Sequence, residues 1–386
     1  MTDVESSAAM ARRRALAAVI GTAFGVGISI GAVVPLLALN LELRGYDAAA
    51  IGANAAMFPI GAVASSFLVP RIIARLGLFA AILLSITLCA AGMLLFPLLD
   101  DYYAWCAIRL FIGCVGVIHW IASETWINLL ARDASRSRVM AVYATVMAGG
   151  FVGGPLLLSL TGIDGWLPFA AVAAASLCAL IPVLLIRSAP PAMGEKLEFS
   201  LPQIMRAVPM VMAAALVAGF VDASLFALIP VHQVRAGIDT QVAVLSLSVF
   251  MAGNLALQYP LGWIADHTSR RGAALGTAAV IVAGAAAYPF LLSGLGAGFW
   301  AMMFVWGGVS WGMYTLGLAL LGERFPSCQL AAANAAFVMV YEMGSIAGPV
   351  ASGAALDRWP VYGLPCAVGV VAAAFIAVAM WRPARA

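Results

Sequence analysis

Residues 341–353 read YEMGSIAGPVASG, and this stretch indicates how the whole chain is organised. Two glycines stand four positions apart, and a proline directly follows the second. A similar phrase, GGFVGGPLLLS, occupies residues 149–159, about half a chain earlier. Glycines at this spacing form a flat strip on one side of a helix, against which another helix can pack closely. The recurrence predicts two similar halves with one such helix in each.

The composition places these helices in a membrane. The chain has 386 residues, of which 64% are hydrophobic and 10% are charged. A soluble domain carries about 25% charged residues, so this chain has too few to cover a water-facing surface. We therefore predict an integral membrane protein embedded in a lipid bilayer. The net charge of +3 is too small to indicate a nucleic-acid partner.

Twelve apolar stretches are long enough to cross a membrane, since a helical span needs about 20 residues. Three arginines before the first stretch resemble the start of a signal peptide. The apolar part that follows is too long for one, so we expect a retained first helix. The predicted spans are 16–41, 50–70, 78–99, 103–130, 139–160, 166–187, 205–230, 241–263, 273–292, 299–322, 331–355 and 363–381.

The positions of lysine and arginine predict that both termini face the cytoplasm. With that orientation, 16 of the 20 basic residues lie on the inside. Arg44, Arg235 and Arg358 lie outside, and Arg109 lies within a span. Cytoplasmic loops carry the excess of basic residues, and two cytoplasmic termini require an even number of spans. The bias therefore favours twelve spans over eleven or thirteen.

A polar stretch near the midpoint divides the chain. Residues 188–203 predict a cytoplasmic linker between two six-helix bundles, residues 1–187 and 204–386. The predicted fold is all-α, with twelve transmembrane helices in two pseudo-symmetric bundles.

The two bundles also match each other in sequence. A shift of 192 places residues 45–47 on 237–239, and a shift of 194 places Gly113 on Gly307. The shift of 194 also superimposes the two glycine-proline phrases. This near-constant offset predicts a parallel internal repeat.

On this evidence the chain resembles the major facilitator superfamily of secondary transporters along essentially its whole length. The stretch GWIADHTSRR, 262–271, is similar to the family's cytoplasmic motif between helices eight and nine. The resemblance implies that Gly262 lets the helix end pack closely. It also implies that Asp266 caps the neighbouring helix and pairs with an arginine, and that Arg270 and Arg271 belong to the same conformational motif. The first-half copy departs from the pattern, with Ala74 at the aspartate position.

Two further motifs support the resemblance. RLFIGCVG, residues 109–116, is similar to the family's fourth-helix motif, and the glycine-proline phrases are similar to a motif associated with antiporters. The family resemblance implies alternating access, with helices one, four, seven and ten lining the cavity. The residues expected to act in the conformational change are Gly150, Gly154, Pro155, Gly344, Gly348 and Pro349.

Ionisable side chains inside a span are costly and indicate function. Four stand out, namely Asp222, Glu342, Arg109 and Glu124. Each acid has an alternative role: Asp222 and Glu342 could make buried structural hydrogen bonds, and Glu124 could form a gate ion pair with a loop arginine. Arg109 could neutralise a carboxylate or close the outer gate. Burial raises the pKa of a carboxylate toward neutrality, which suits proton coupling.

Other side chains refine this prediction. Aromatic residues on the predicted cavity helices, including Trp120, Phe226 and Tyr314, favour a hydrophobic or amphipathic solute. His119 and His232 are weaker candidates. The six cysteines form no C-x-x-C pair, so neither a metal site nor a disulfide framework is predicted.

Enzyme function is not indicated. The pentapeptide GVSWG, 308–312, matches G-x-S-x-G but lies inside an apolar helix rather than a strand-turn-helix. No P-loop is present in the sequence, so neither ATP-driven transport nor a cofactor is expected.

The sequence therefore predicts a monomeric, multi-pass protein of the bacterial inner membrane. Its predicted partners are protons and a small organic solute, which it exports by proton-coupled antiport. The alternatives are a proton-driven importer of a metabolite and a non-transporting assembly factor with the same fold. Stimulation of uptake by solute on the opposite side would distinguish a carrier from the latter.

Overall fold

The computed structural model describes residues 3–130, 136–185, 205–325 and 327–381. Throughout these ranges the regular secondary structure is helical. Twelve helices of the described chain are long and apolar enough to cross a membrane, which confirms the predicted number and the all-α fold. The predicted linker 188–203 lies outside the described residues, so the boundary between the two bundles stays a prediction.

Within each described range the helices follow one another with short connections. A 3₁₀ turn, Phe96–Leu98, continues the third long helix, and a single helical turn, Ile181–Leu184, follows the sixth. Their bounds are α1 (Asp3–Leu43), α2 (Ala48–Ser66), α3 (Val69–Leu95), α4 (Tyr102–Leu130), α5 (Arg136–Thr161), α6 (Leu167–Cys178), α7 (Pro209–Arg235), α8 (Thr240–His267), α9 (Arg270–Leu292), α10 (Ala297–Arg324), α11 (Ser327–Arg358) and α12 (Gly363–Trp381).

The start of α3 differs from the sequence prediction. The third span was expected to begin at residue 78, after a loop, but α3 already begins at Val69 with Pro70 in its first turn. Proline is well tolerated there because the first amides of a helix have no partner within it. At Gly77 the backbone adopts φ 78° and breaks the helix. Glycine reaches this left-handed conformation without steric cost.

The described residues form two compact units. The first contains α3 to α6 with most of α1 and the second half of α2. The second contains α7 to α12 together with residues 37–56, which comprise the end of α1 and the start of α2. According to the predicted orientation, residues 37–56 lie at the outer side of the membrane.

The two loops aligned by the shift of 192 have the same geometry. Gly45 and Gly237 adopt φ values of 82° and 83°. Two residues later, Asp47 accepts a hydrogen bond from the Ala50 amide at 2.7 Å, and Asp239 accepts one from the Gln241 amide at 2.8 Å. Each aspartate therefore caps the helix that follows.

The glycine-proline phrases form two equivalent helix contacts. In the first unit, a Cβ at Gly150 would collide with the Phe24 carbonyl on α1. In the second unit, a Cβ at Gly344 would collide with the Leu216 carbonyl on α7. One turn further along, Gly154 packs against α1 and Gly348 packs against α7. Backbones approach closely where these glycines lie, so the motif builds the α1–α5 and α7–α11 contacts.

A second pair of contacts repeats in the same way. Gly113 packs against the Phe58 carbonyl between α4 and α2, and Gly307 packs against the Phe250 carbonyl between α10 and α8. Phe58 and Phe250 are 192 positions apart, and the two glycines are 194 apart. The internal repeat is therefore present in the helix contacts as well as in the sequence.

Candidate functional site

Asp222 lies in the interior of the second unit. Asp222 is 1% exposed. It lies on α7, which packs against α11. The Tyr341 hydroxyl of α11 donates to Asp222 Oδ2 at 3.5 Å, the outer limit of a hydrogen bond. Among the described residues, Asp222 Oδ1 has no hydrogen-bond partner. An ionised carboxylate in this setting is strongly disfavoured.

Tyr341, whose hydroxyl contacts Asp222, belongs to a group of packed aromatic rings. Tyr341 packs edge-on against Tyr314 of α10, with ring centroids 5.0 Å apart. Tyr314 in turn contacts Phe337 of α11 edge-on at 5.3 Å. Tyr314 and Tyr341 pack against an apolar core that includes Phe337 and Val340. Phe226, one helical turn from Asp222, is 7% exposed. The acid is therefore held in an apolar, aromatic environment.

Glu342 is adjacent to Tyr341 in sequence but differs from Asp222 in burial. Its residue is half-buried, whereas Asp222 is almost fully buried. Successive side chains of a helix point about 100° apart, so Glu342 and Tyr341 face different directions. The structure therefore brings Tyr341, Tyr314 and Asp222 together and places Glu342 beside this group.

The charged residues of α4 belong to the first unit. Arg109 is 4% exposed. Trp120 and Glu124 are four residues apart on α4, so their side chains lie on the same face of that helix, and Glu124 is half-buried. Fifteen residues of helix separate Arg109 from Glu124, a rise of about 22 Å, so these two cannot pair with each other. The two roles considered for Arg109, neutralising a carboxylate or closing the outer gate, stay predictions.

Both membrane histidines are almost completely buried. His119 Nδ1 lies 3.4 Å from the Ser123 hydroxyl on its own helix. His232 lies 3.1 Å from the Val361 carbonyl through Nε2 and 3.4 Å from the Tyr288 hydroxyl through Nδ1. His232 thus links α7 to α9 and to the connection before α12. These contacts favour a structural role for His232 in joining helices.

The motif between α8 and α9 differs in part from its expected role. Among the described residues, no heavy atom lies within 4 Å of a Cβ built at Gly262, so the close packing expected there is not found. Arg270 donates to the Ala319 carbonyl of α10 at 3.0 Å, and Arg271 donates to the Ala379 carbonyl of α12. Both arginines therefore lie near helix C-termini, where positive charge is favourable. The Asp266 side chain lies outside the described part of the structure.

A charged network at the predicted outer side was missed by the sequence analysis. Arg235, the last residue of α7, donates through Nε to both carboxylate oxygens of Glu42, at 2.8 and 2.9 Å. Its Nη1 donates to Asp357 Oδ1 at 2.7 Å, and its Nη2 to the Tyr46 carbonyl at 3.2 Å. One guanidinium thus joins the ends of α1, α7 and α11.

Asp357 has a second role in this network. Its two oxygens accept hydrogen bonds from the amides of Ala48 and Ala49, both at 2.8 Å. These are the first two residues of α2, so an acid of α11 caps α2. A carboxylate at a helix N-terminus satisfies free amides and interacts favourably with the helix dipole. The one available signal in the sequence was Arg235, among the few basic residues predicted to lie outside.

The comparisons agree with this architecture. Residues 16–327 match the profile of the Major Facilitator Superfamily. The chain is 26% identical over 338 residues to the uncharacterized MFS-type transporter YfkF of Bacillus subtilis (strain 168), covering 85% of each chain. It is 24% identical over 324 residues to the uncharacterized MFS-type transporter YcaD of Escherichia fergusonii, covering 83% of this chain and 82% of the relative.

Solved structures have the same fold. A mutant of the nucleoside transporter NupG superimposes with a TM-score of 0.78 at 14% identity, covering 95% of this chain and 98% of its own. A bacterial homologue of the human lysosomal transporter Spinster superimposes with a TM-score of 0.77 at 14% identity, covering 97% and 99%. With its profile match spanning most of the sequence, the chain belongs to the Major Facilitator Superfamily and is a membrane transporter.

Proposed function

We propose that this transporter is proton-coupled and exports a small hydrophobic or amphipathic organic solute across the bacterial inner membrane. Asp222 carries the coupling proton. The observation that supports this most directly is the position of Asp222, buried at mid-span with one carboxylate oxygen lacking a partner among the described residues. A charge there costs several kcal/mol unless it is paired or neutralised, and a bound proton neutralises it.

The surroundings of Asp222 favour proton binding over a fixed ion pair. Its described hydrogen bond comes from a neutral donor, the Tyr341 hydroxyl, at a long distance of 3.5 Å. The neighbouring rings of Tyr341 and Tyr314 are apolar apart from their hydroxyl groups. The carboxylate loses its proton when the transport cycle brings it into contact with water or with a cationic group of the solute.

Export is supported by the glycine-proline phrases. They resemble an antiporter motif, and they form the close α1–α5 and α7–α11 contacts. The α7–α11 contact also carries Asp222 and Tyr341. A change in the packing of α7 on α11 would therefore reach the proton site directly.

Transport by purified protein in liposomes tests this proposal. Asp222→Asn should abolish accumulation driven by a pH gradient, while solute exchange in the absence of a gradient survives. Glu342→Gln, on the adjacent helix, is the matched control and should retain accumulation. If Asp222→Asn still concentrates solute against its gradient and Glu342→Gln does not, Glu342 is the coupling residue and the assignment to Asp222 is wrong.

A further inference from the structure

The second unit contains a chain of polar side chains between α8 and α10. The Thr315 hydroxyl of α10 donates to Gln258 Oε1 of α8 at 2.7 Å. Gln258 Nε2 then donates to Asn254 Oδ1, one turn along α8, at 2.6 Å. We propose that these three residues, the polar ladder, form a subsite that binds an uncharged, amide-like group of the solute. The inference rests on the proposed transport function and names the solute chemistry.

The direction of the hydrogen bonds determines what the polar ladder can recognise. The Thr315 proton is used in its bond to Gln258, so the hydroxyl oxygen remains available as an acceptor. The Gln258 and Asn254 amides each have N–H donors beyond the bonds described within the ladder. An acceptor next to donors, with no formal charge, complements a solute group that has an N–H beside a C=O. Carboxylate or phosphate groups would need a cation instead.

The polar ladder does not lie on the apolar face of α8. Leu245, Ala256 and Trp263 are exposed, and they fall within about 20° of one another around the helix. Asn254 and Gln258 lie about 140–180° away from that face. Thr315 is exposed, Gln258 is half-buried, and Asn254 is buried at the inner end of the ladder with 4% exposure. Exposed polar groups at mid-span are satisfied by water or by a polar ligand, because lipid tails offer no partners.

The internal repeat shows that helix packing does not require the polar ladder. The α2–α4 contact in the first unit is equivalent to the α8–α10 contact, with Gly61 in the place of Gly253. At the same shifts, the positions of Asn254, Gln258 and Thr315 correspond to Ala62, Ser66 and Ile121.

The counterparts in the first half, Ala62, Ser66 and Ile121, form no comparable series of side-chain hydrogen bonds with one another. The Ser66 hydroxyl donates to the Val63 carbonyl of its own helix at 2.9 Å. The Ser65 hydroxyl of α2 also donates to the Cys114 carbonyl of α4 at 3.0 Å, so the glycine contact and one side-chain hydrogen bond join this equivalent helix pair without a polar ladder. The second half carries three polar side chains that the packing does not need, which points to a role in binding.

Thiol labelling tests which way the polar ladder faces. All six cysteines are first replaced by serine, and Thr315→Cys and Ala256→Cys are then introduced one at a time. Each variant is treated in permeabilised membranes with MTSET, a charged reagent that reacts with thiols reached by water. Ala256 is the matched control because it is small and exposed on the opposite side of α8. We expect Thr315→Cys to be labelled at least tenfold faster. Equal or slower labelling, repeated with Gln258→Cys, would place the ladder against lipid and overturn the inference.

Ligand binding tests the proposed chemistry. Uracil has N–H groups beside C=O groups, and 1,3-dimethyluracil keeps the ring and carbonyls but has no N–H. Saturation-transfer NMR on the purified protein, with each probe at millimolar concentration, should give a clearly stronger signal for uracil. Gln258→Leu should weaken uracil binding about tenfold, because a hydrogen-bonding partner of the solute is removed, whereas Ser66→Ala should not.

The outcomes separate this inference from the proposed function. Equal signals for the two probes, no uracil signal, or an unchanged signal with Gln258→Leu would each overturn the inference. The NMR measurement needs no pH gradient, so it does not depend on proton coupling. Conversely, loss of accumulation in Asp222→Asn with intact uracil binding would support the proposed coupling and the subsite independently.

Discussion

Arg235 and Glu42 are 193 residues apart, and the guanidinium Nε of Arg235 lies 2.8 and 2.9 Å from the two carboxylate oxygens of Glu42. This bifurcated hydrogen bond, in which both carboxylate oxygens accept from one N–H group, fastens the end of α1 to the end of α7. Through Asp357, the same arginine reaches α11, which caps α2. The four helix ends form an outer latch, defined by Glu42, Arg235 and Asp357.

Arg235→Met should lower the stability of this state. The variant leaves Glu42 and Asp357 without their shared cation, although both are partly exposed, with side-chain exposures of 15% and 26%. We expect a loss of about 1–2 kcal/mol, seen as a lower apparent Tm of the purified protein. Arg358→Met, at an exposed position beside the latch, is the control and should leave the Tm unchanged.

A double variant shows whether the two residues act together. If Arg235 and Glu42 are coupled, Arg235→Met with Glu42→Gln should be less destabilised than the sum of the single changes. Strict additivity would show that the contact contributes nothing to the stability of the latch.

Asp357→Asn should loosen the start of α2. The substitution weakens the two hydrogen bonds to the Ala48 and Ala49 amides and removes the negative charge at the helix N-terminus. Caps of this kind contribute about 1 kcal/mol, so amide hydrogen exchange in the first turn of α2 should become several-fold faster. Asp164→Asn, in an exposed loop, serves as the control. Unchanged exchange in Asp357→Asn would mean that water caps the helix equally well.

Two glycine substitutions should have opposite effects. In Gly219→Ala, the new Cβ would collide with the Tyr341 carbonyl, a backbone atom that cannot move away easily. The yield of folded protein and the apparent Tm should fall. In Gly262→Ala, no described atom lies within 4 Å, and alanine is favoured over glycine in a helix by about 0.5–1 kcal/mol. Size-exclusion yield and Tm measure both. If Gly262→Ala is instead destabilised, the result would support the close packing at Gly262 that the motif resemblance implies.

Much of the fold could be predicted from the sequence because it depends on periodic or repeated features. Apolar length fixes the number of spans, and the glycines at 113 and 307 mark equivalent helix contacts in both halves. The charged residues are different. At a shift of 192, Asp222 corresponds to Ile30 and Arg235 to Leu43, so the repeat says nothing about their partners.

The partners of charged residues depend on three-dimensional contacts that span the chain. Its position inside an apolar span marked Asp222 as costly to bury. Its hydrogen-bond donor, Tyr341, could be identified only from the packing of α7 against α11. The outer latch was missed for the same reason, because Glu42, Arg235 and Asp357 lie at three helix ends that no sequence pattern connects.

Tyr341→Phe tests whether the hydroxyl beside Asp222, the proposed proton carrier, itself lies on the proton path. The substitution removes the hydroxyl that donates to Asp222 and keeps the ring that packs against Tyr314. A neutral hydrogen bond contributes about 0.5–1.5 kcal/mol, so the rate of pH-driven flux should change by about tenfold at most. The final accumulation ratio depends on how many protons move with each solute. If Asp222 alone carries the proton, Tyr341→Phe should reach the wild-type ratio in liposomes, although at a different rate. A variant that fails to accumulate solute, as expected for Asp222→Asn, would place the Tyr341 hydroxyl on the proton path itself.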